Sequence, residues 1–142
     1  MTNGRLGTRW AYGMVLATAM SSVGPLRAHH SLAGVYDSSK PVSIEGVVAQ
    51  FQFINPHPFV TVSVKGDGGK AAEWRLEMDN RFELEAIGMT SRTLLPGDKI
   101  TARGSRGRDN ANSLYVQRLD RPADGFWYEQ VGMTPLMRPA KD

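Results

Sequence analysis

Apolar and polar residues alternate along residues 59–78, and this period of two constrains the fold more than any other feature of the chain. Val60, Val62 and Val64 would share one face of a first strand in this stretch. A glycine-rich run, Gly66-Asp67-Gly68-Gly69, follows and is typical of a hairpin turn. The next apolar positions are Ala72, Trp74, Leu76 and Met78. The pattern therefore predicts two antiparallel strands that each bury one face.

Residues 41–53 predict a longer strand that precedes this hairpin. Its apolar positions are first even-numbered, at Val42 and Ile44, and then odd-numbered, at Val47, Ala49, Phe51 and Phe53. The phase changes at Gly46. A one-residue slip in a period of two, at a glycine, predicts a β-bulge or a sharp coil at Gly46.

A short helix and a tight turn are predicted after the hairpin. Asn80 and Glu83 have the spacing of a capping box, and Gly88 is placed to end a helix of about two turns. The motif Leu95-Pro96-Gly97-Asp98 has proline and glycine at the positions that a type II turn favours. Two further strands are predicted beyond that turn, over residues 99–104 and 113–119.

The resulting order of elements, β-β-β-α-β-β, predicts a mainly β protein with a small five-stranded OB-like barrel. In that fold, one short helix lies between strands three and four. The predicted barrel domain covers residues 42–121, after an N-terminal segment at 29–41. An SH3-like barrel or a small sandwich is the alternative. Residues 122–142 form a predicted tail in which Phe126, Trp127 and Tyr128 cover an open barrel edge.

The first 28 residues have the composition of a signal peptide. Arg5 and Arg9 precede an apolar run from Trp10 to about Val23, and Ala28 suits the position before a cleavage site. The run is about 14 residues long, shorter than the ~20 that a membrane-spanning helix needs. We therefore expect a periplasmic or secreted protein that is not an integral membrane protein. Cleavage in Ser31-Leu32-Ala33 is the alternative.

Charge and cysteine content exclude several classes of function. Three of the 17 basic residues lie in the predicted leader, so the remainder carries 14 basic and 14 acidic side chains. This balance argues against a nucleic-acid partner. The chain has no cysteine, which excludes disulfides, thiolate zinc sites and a thiol nucleophile. The familiar enzyme motifs are also missing, and no catalytic residue is predicted.

The three histidines, His29, His30 and His57, are the predicted metal ligands. Cleavage after Ala28 would make His29 the first residue, with an α-amine and an imidazole for one metal ion. A nitrogen-rich site without thiolates favours copper(II), followed by nickel or zinc. Asp37, Glu45 and Glu77 are possible carboxylate partners. In the alternative interpretation, the histidines are incidental and Asn55-Pro56-His57-Pro58 is a rigid connection between strands.

A metal-free accessory module is the second functional hypothesis. It would bind an envelope protein, a peptide or a glycan through the barrel face and the cluster from Phe126 to Tyr128. Arg103, Arg106 and Arg108 form a basic hairpin, which is most typical of a solvated turn. A copper-dependent oxidase is a third hypothesis, although no substrate cleft is visible in the sequence.

Several motifs together resemble a family of small exported proteobacterial proteins, a domain of unknown function. They are Ala28-His29-His30-Ser31, Tyr36-Asp37, Lys40-Pro41-Val42, Asn55-Pro56-His57, Trp74 and Leu95-Pro96-Gly97-Asp98. The resemblance covers roughly residues 28–121. It implies a periplasmic location and a small β-barrel domain, but no established activity. Pro58-Phe59 and Gly88-Met89 depart from the pattern of that family.

Overall fold

A computed structural model describes Met1, residues 32–130, Gly132 and residues 134–141. His29, His30 and, apart from Met1, the predicted signal peptide lie outside the described residues. No helix in the described part of the chain is long and apolar enough to cross a membrane.

The described chain is built mainly of β-strands, with two short α-helices and one 3-10 turn. In chain order the elements are α1 (Leu32–Val35), β1 (Tyr36–Gln52), β2 (Phe59–Lys65), the 3-10 turn (Asp67–Gly69), β3 (Ala71–Glu77), α2 (Arg81–Ala86), β4 (Lys99–Gly107), β5 (Ser113–Arg121), β6 (Phe126–Glu129) and β7 (Leu136–Arg138). The predicted helix between strands three and four is confirmed as α2. Strand β1 begins at Tyr36, before the predicted start of the barrel domain at residue 42.

Five strands close into a ring. The long β1 pairs with both β2 and β4, β2 pairs with β3, and β4 pairs with β5, all antiparallel. A short parallel contact between β3 and β5 completes the ring, with Arg75, Leu76 and Glu77 opposite Ser113, Leu114 and Tyr115. This strand order confirms the predicted mainly β, OB-like fold.

The predicted caps and turn form as the sequence indicates. The side chain of Asn80 accepts a hydrogen bond from the backbone N–H of Glu83, and Gly88, just beyond α2, has a φ of 95°. At Gly97 the φ of 96° fits the third position of a type II turn. The backbone N–H of Asp98 donates to the Leu95 carbonyl at 3.1 Å to close that turn.

The irregularity predicted at Gly46 was placed wrongly. Strand β1 keeps its register with β4 through Gly46, and the shift occurs between Val48 and Gln50, where β1 pairs with β2. Val48 is buried and Val47 exposed, so the change of face comes after Val48. Its N–H donates to the Asp98 carbonyl, and its carbonyl accepts from the Gly97 N–H, both at 2.8 Å. The turn before β4 therefore holds the position at which β1 changes face.

Gly46 is required for a different reason. A Cβ at this position would lie 2.5 Å from the Ser63 carbonyl oxygen and 2.6 Å from a methyl group of Val62. Strands β1 and β2 therefore approach each other too closely here for any side chain.

Two further strands extend the sheet within the segment predicted as a tail. Strand β6 pairs with residues 118–121 of β5, beyond the part that meets β3, and β7 pairs with β6. Phe126 and Tyr128 of β6 are 2% and 0% exposed and belong to the main core. The aromatic cluster thus covers the free edge of β5, as predicted, and also fills the interior.

Candidate functional site

His57 lies in the connection between β1 and β2, where its main chain is held on both sides. The Asn55–Pro56 peptide bond is cis. The Pro56 carbonyl accepts from the N–H of Arg81 at the start of α2, and the Pro58 carbonyl accepts from the N–H of Met78, both at 3.0 Å. The start of α2 and the residue after β3 therefore fix the main chain from which the imidazole projects.

The Nδ1 atom of His57 faces two hydrogen-bond acceptors. It lies 3.1 Å from the carbonyl oxygen of Met78 and 3.1 Å from Oε1 of Glu77. Since neither neighbour can donate a proton, Nδ1 carries the hydrogen, and the lone pair of the neutral ring lies on Nε2. Nε2 has no hydrogen bond with any described residue, and the side chain is 27% exposed. The arrangement leaves the lone pair of Nε2 in a fixed orientation and free to bind a ligand.

Glu77 connects His57 to the beginning of β1. Its second oxygen, Oε2, accepts a 2.6 Å hydrogen bond from the hydroxyl of Tyr36. Burial raises the pKa of Tyr36 above its ordinary value, and the hydrogen bond to Glu77 acts in the same direction, so the phenol stays a donor at neutral pH. The ring of Tyr36 also packs against Tyr115 with centroids 5.8 Å apart. Glu77 is consequently held by His57 and Tyr36 together.

Asp79 lies next to this cluster but in a drier environment. Its side chain accepts from the backbone N–H of Asn80 at 2.7 Å, and the residue is 8% exposed. Burial raises the pKa of Asp79 to about 6, and a hydrogen bond with the Glu83 side chain adds to the rise. The carboxyl is therefore suited to holding a proton under mildly acidic conditions.

The described residues contain no group of three or more histidine, aspartate or glutamate side chains placed to hold a metal ion. Of the carboxylates considered as partners, Glu77 contacts His57, whereas Asp37 pairs with Lys40 and Arg108. Glu45 lines a separate surface cavity. Within the described part of the chain, the candidate site is thus one oriented histidine and its supporting carboxylate.

Tyr36 and Asp79 were not predicted as members of the site. Tyr36 precedes the predicted first strand, and nothing in its local sequence indicates that its hydroxyl reaches Glu77. Asp79 comes after the alternating residues of β3, where the sequence indicates the start of a loop. Their proximity results from the way the strands pair, which local sequence patterns do not specify.

The aromatic cluster of the second hypothesis offers little surface for a partner. Phe126 and Tyr128 are buried in the core, which leaves Trp127. Two guanidinium groups lie near its ring, that of Arg118 at 4.5 Å and that of Arg138 at 6.0 Å from the ring centroid. These contacts stabilise the outer face of β6.

The strand order defines a small, mainly β protein of OB-like topology. The chain belongs to a family of unknown function, DUF6152, whose model matches residues 16–115. No curated protein matches the chain.

Two of the solved structures similar to this chain share low sequence identity with it. A chain of the S. pombe Stn1–Ten1 complex has a TM-score of 0.44 and 15% identity, over 56% of each chain. A TiaS mutant lacking its ZRD, in complex with agmatine, has a TM-score of 0.45 and 12% identity, over 73% of this chain. This protein covers only 27% of the TiaS chain.

Proposed function

We propose that the protein is exported to the periplasm, cleaved after Ala28, and binds a divalent metal ion through His29, His30 and His57. Copper(II) is the expected metal, because nitrogen donors without thiolates favour it. The observation that carries the proposal is the pair of acceptors, Met78 O and Glu77 Oε1, on Nδ1 of His57.

The two acceptors on Nδ1 of His57 match the hydrogen-bond partners that usually surround a metal-binding histidine. Such a histidine usually donates its second ring N–H to a carboxylate or a carbonyl, which fixes the tautomer and raises the basicity of the ligating nitrogen. His57 has both kinds of acceptor on Nδ1, and Nε2 remains for the metal. Glu77 would act as a positioning residue.

Tyr36, in the described part of the N-terminal segment, is connected to His57 through Glu77. Tyr36 bonds to the same carboxylate as His57, and α1 directly precedes it. Arg108 holds α1 by donating from its side chain to the Ala33 carbonyl and from its backbone to the Val35 carbonyl. Residues 29–31 can span at most ~10 Å when extended. His29 and His30 are therefore at most three residues along the chain from a helix that Arg108 holds.

Copper titration of the mature protein tests this proposal. Intact-mass measurement first establishes that the exported chain starts at His29. We expect a visible Cu(II) band for the wild type, and its loss in His57→Ala. Adding one alanine before His29 should also weaken binding, because the α-amine is then displaced from the chelate. The α-amine has an ordinary pKa of ~7.7–8, so affinity should fall in acid.

Glu77→Gln separates positioning from a direct contact with the metal. Loss of the carboxylate behind His57 should lower copper affinity roughly 10-fold to 100-fold while leaving the type of spectrum unchanged. Glu45→Gln is the matched control, because Glu45 is an exposed glutamate of β1. Wild-type affinity in either His57→Ala or the extended protein would refute the proposed site.

A further inference from the structure

A second cavity, of about 420 Å³, lies beside the hairpin between β4 and β5. Three cationic side chains line it, those of Lys40, Arg106 and Arg108, against the two carboxylates of Asp37 and Asp109. This cavity has one more positive than negative group. Its volume is within the range of small-molecule sites.

Asp37 is already engaged with two of the three cations. Its Oδ2 lies 3.3 Å from Arg108 and 3.5 Å from Lys40. Ser39 donates to Oδ1 from its hydroxyl at 2.7 Å and from its backbone N–H at 3.1 Å. The side-chain hydrogen bond from Ser39 lowers the pKa of Asp37, so this carboxylate stays charged.

Arg106 is the unpaired cation of the cavity. Its side chain makes no hydrogen bond or ion pair with any described residue, and its Nε atom is buried without a partner. The guanidinium carbon lies 5.7 Å from the ring centroid of Trp74, near the outer limit of a cation–π contact. A partly buried guanidinium is costly without an acceptor, and its planar N–H groups match the oxygens of carboxylates and phosphates.

We propose that this cavity binds a small ligand bearing an oxyanion, a carboxylate or a phosphate, with Arg106 as the principal contact. Lys40 and Arg108 flank the anion and contribute additional positive charge. The site uses none of the proposed metal ligands, although Arg108 also holds α1.

Calorimetric titration at low ionic strength, with inorganic phosphate and separately with acetate, tests the site. We expect saturable binding of at least one anion by the wild type. Arg106→Gln should weaken that binding roughly 10-fold or more, because a charged hydrogen-bond donor is lost. Arg103→Gln is the matched control: Arg103 is an exposed arginine of the same strand, outside this cavity, and its loss should leave affinity unchanged.

Lys40→Gln tests the site without disturbing a partly buried residue. Lys40 has a 72% exposed side chain, so the fold should tolerate its loss, and we expect phosphate or acetate affinity to fall about 3-fold. The melting temperature of the wild type should also rise with the bound anion, and that of Arg106→Gln should not. Absence of saturable binding to both anions, or equal binding by Arg106→Gln and Arg103→Gln, would overturn the proposal.

Discussion

Two carboxyl groups close together in sequence, Glu77 and Asp79, have different surroundings in this protein. Glu77 accepts a hydrogen bond from Tyr36 and supports His57. Asp79 is almost fully buried, and burial raises its pKa to about 6. The folded state therefore binds a proton at Asp79 more tightly than the unfolded chain does. Proton binding at Asp79 therefore stabilises the folded protein fully below pH ~4, and this contribution to the free energy of unfolding is lost as the pH rises through about 6.

Replacing Asp79 by asparagine should remove this pH dependence. The neutral amide has no charge to desolvate, so Asp79→Asn should be more stable than the wild type above pH 6, by about 2–3 kcal/mol. The difference should vanish below pH ~4, where both side chains are neutral. Urea unfolding at a series of pH values, in metal-free buffer, measures it. A constant difference between the two proteins across this range would show that Asp79 does not titrate in the folded state.

At the level of elements, glycines set where the long strands can bend and cross. The pairing of β4 with β5 shifts register between Arg103 and Gly104. A Cβ at Gly104 would lie 1.8 Å from the carbonyl oxygen of Tyr115. The carbonyl oxygen belongs to the backbone and not to a flexible side chain. Strands β4 and β5 would therefore have to separate to accommodate a Cβ atom at residue 104.

Gly104→Ala should therefore destabilise the protein by about 3 kcal/mol or more, at the upper end of the usual cost of overpacking. Gly66→Ala is the control, because its Cβ would come no closer than 3.0 Å to the Lys70 carbonyl in a surface turn. Thermal unfolding followed by circular dichroism compares the two. Equal melting temperatures would mean that β4 and β5 adjust to the added methyl group without loss.

Local signals of the sequence predicted the elements that depend on local contacts. The Asn80 cap and the Leu95-Pro96-Gly97-Asp98 turn each involve backbone groups within a few residues. The change of face in β1 could not be placed correctly, because it depends on hydrogen bonds from Val48 to the distant Asp98 turn. Likewise, His57 was recognised as a candidate ligand, but its contact with Glu77 arises from strand pairing.

For the whole molecule, the core inside the ring of five strands is completed by residues that follow the ring in the chain. Phe126 and Tyr128 lie in the core together with side chains of β1 to β5. Strand β7, by contrast, is at the edge of the sheet, and its Leu136 is exposed. The two C-terminal strands therefore differ in importance for stability.

Two truncations should separate these contributions. Ending the chain after Gln130 removes β7 and should cost about 1–2 kcal/mol, from the partly buried Met137. Ending it after Arg121 also removes Phe126 and Tyr128, at about 3–5 kcal/mol for each large side chain, comparable to the whole stability of a small domain. We expect the shorter protein to lose cooperative urea unfolding. Cooperative unfolding with an unchanged midpoint would show that β6 is dispensable.

The parallel seam between β3 and β5 has a consequence for where the ring of strands opens. It joins three residue pairs, whereas seven pairs join β2 and β3 in the neighbouring hairpin. A short seam with few backbone hydrogen bonds opens more readily in native-state fluctuations than a long ladder does. Glu77 and Tyr115 form one of the three pairs, and Glu77 is also paired with Phe59 of β2. Transient opening of the seam would therefore separate Glu77 from β5, while the hairpin keeps its carboxylate beside His57.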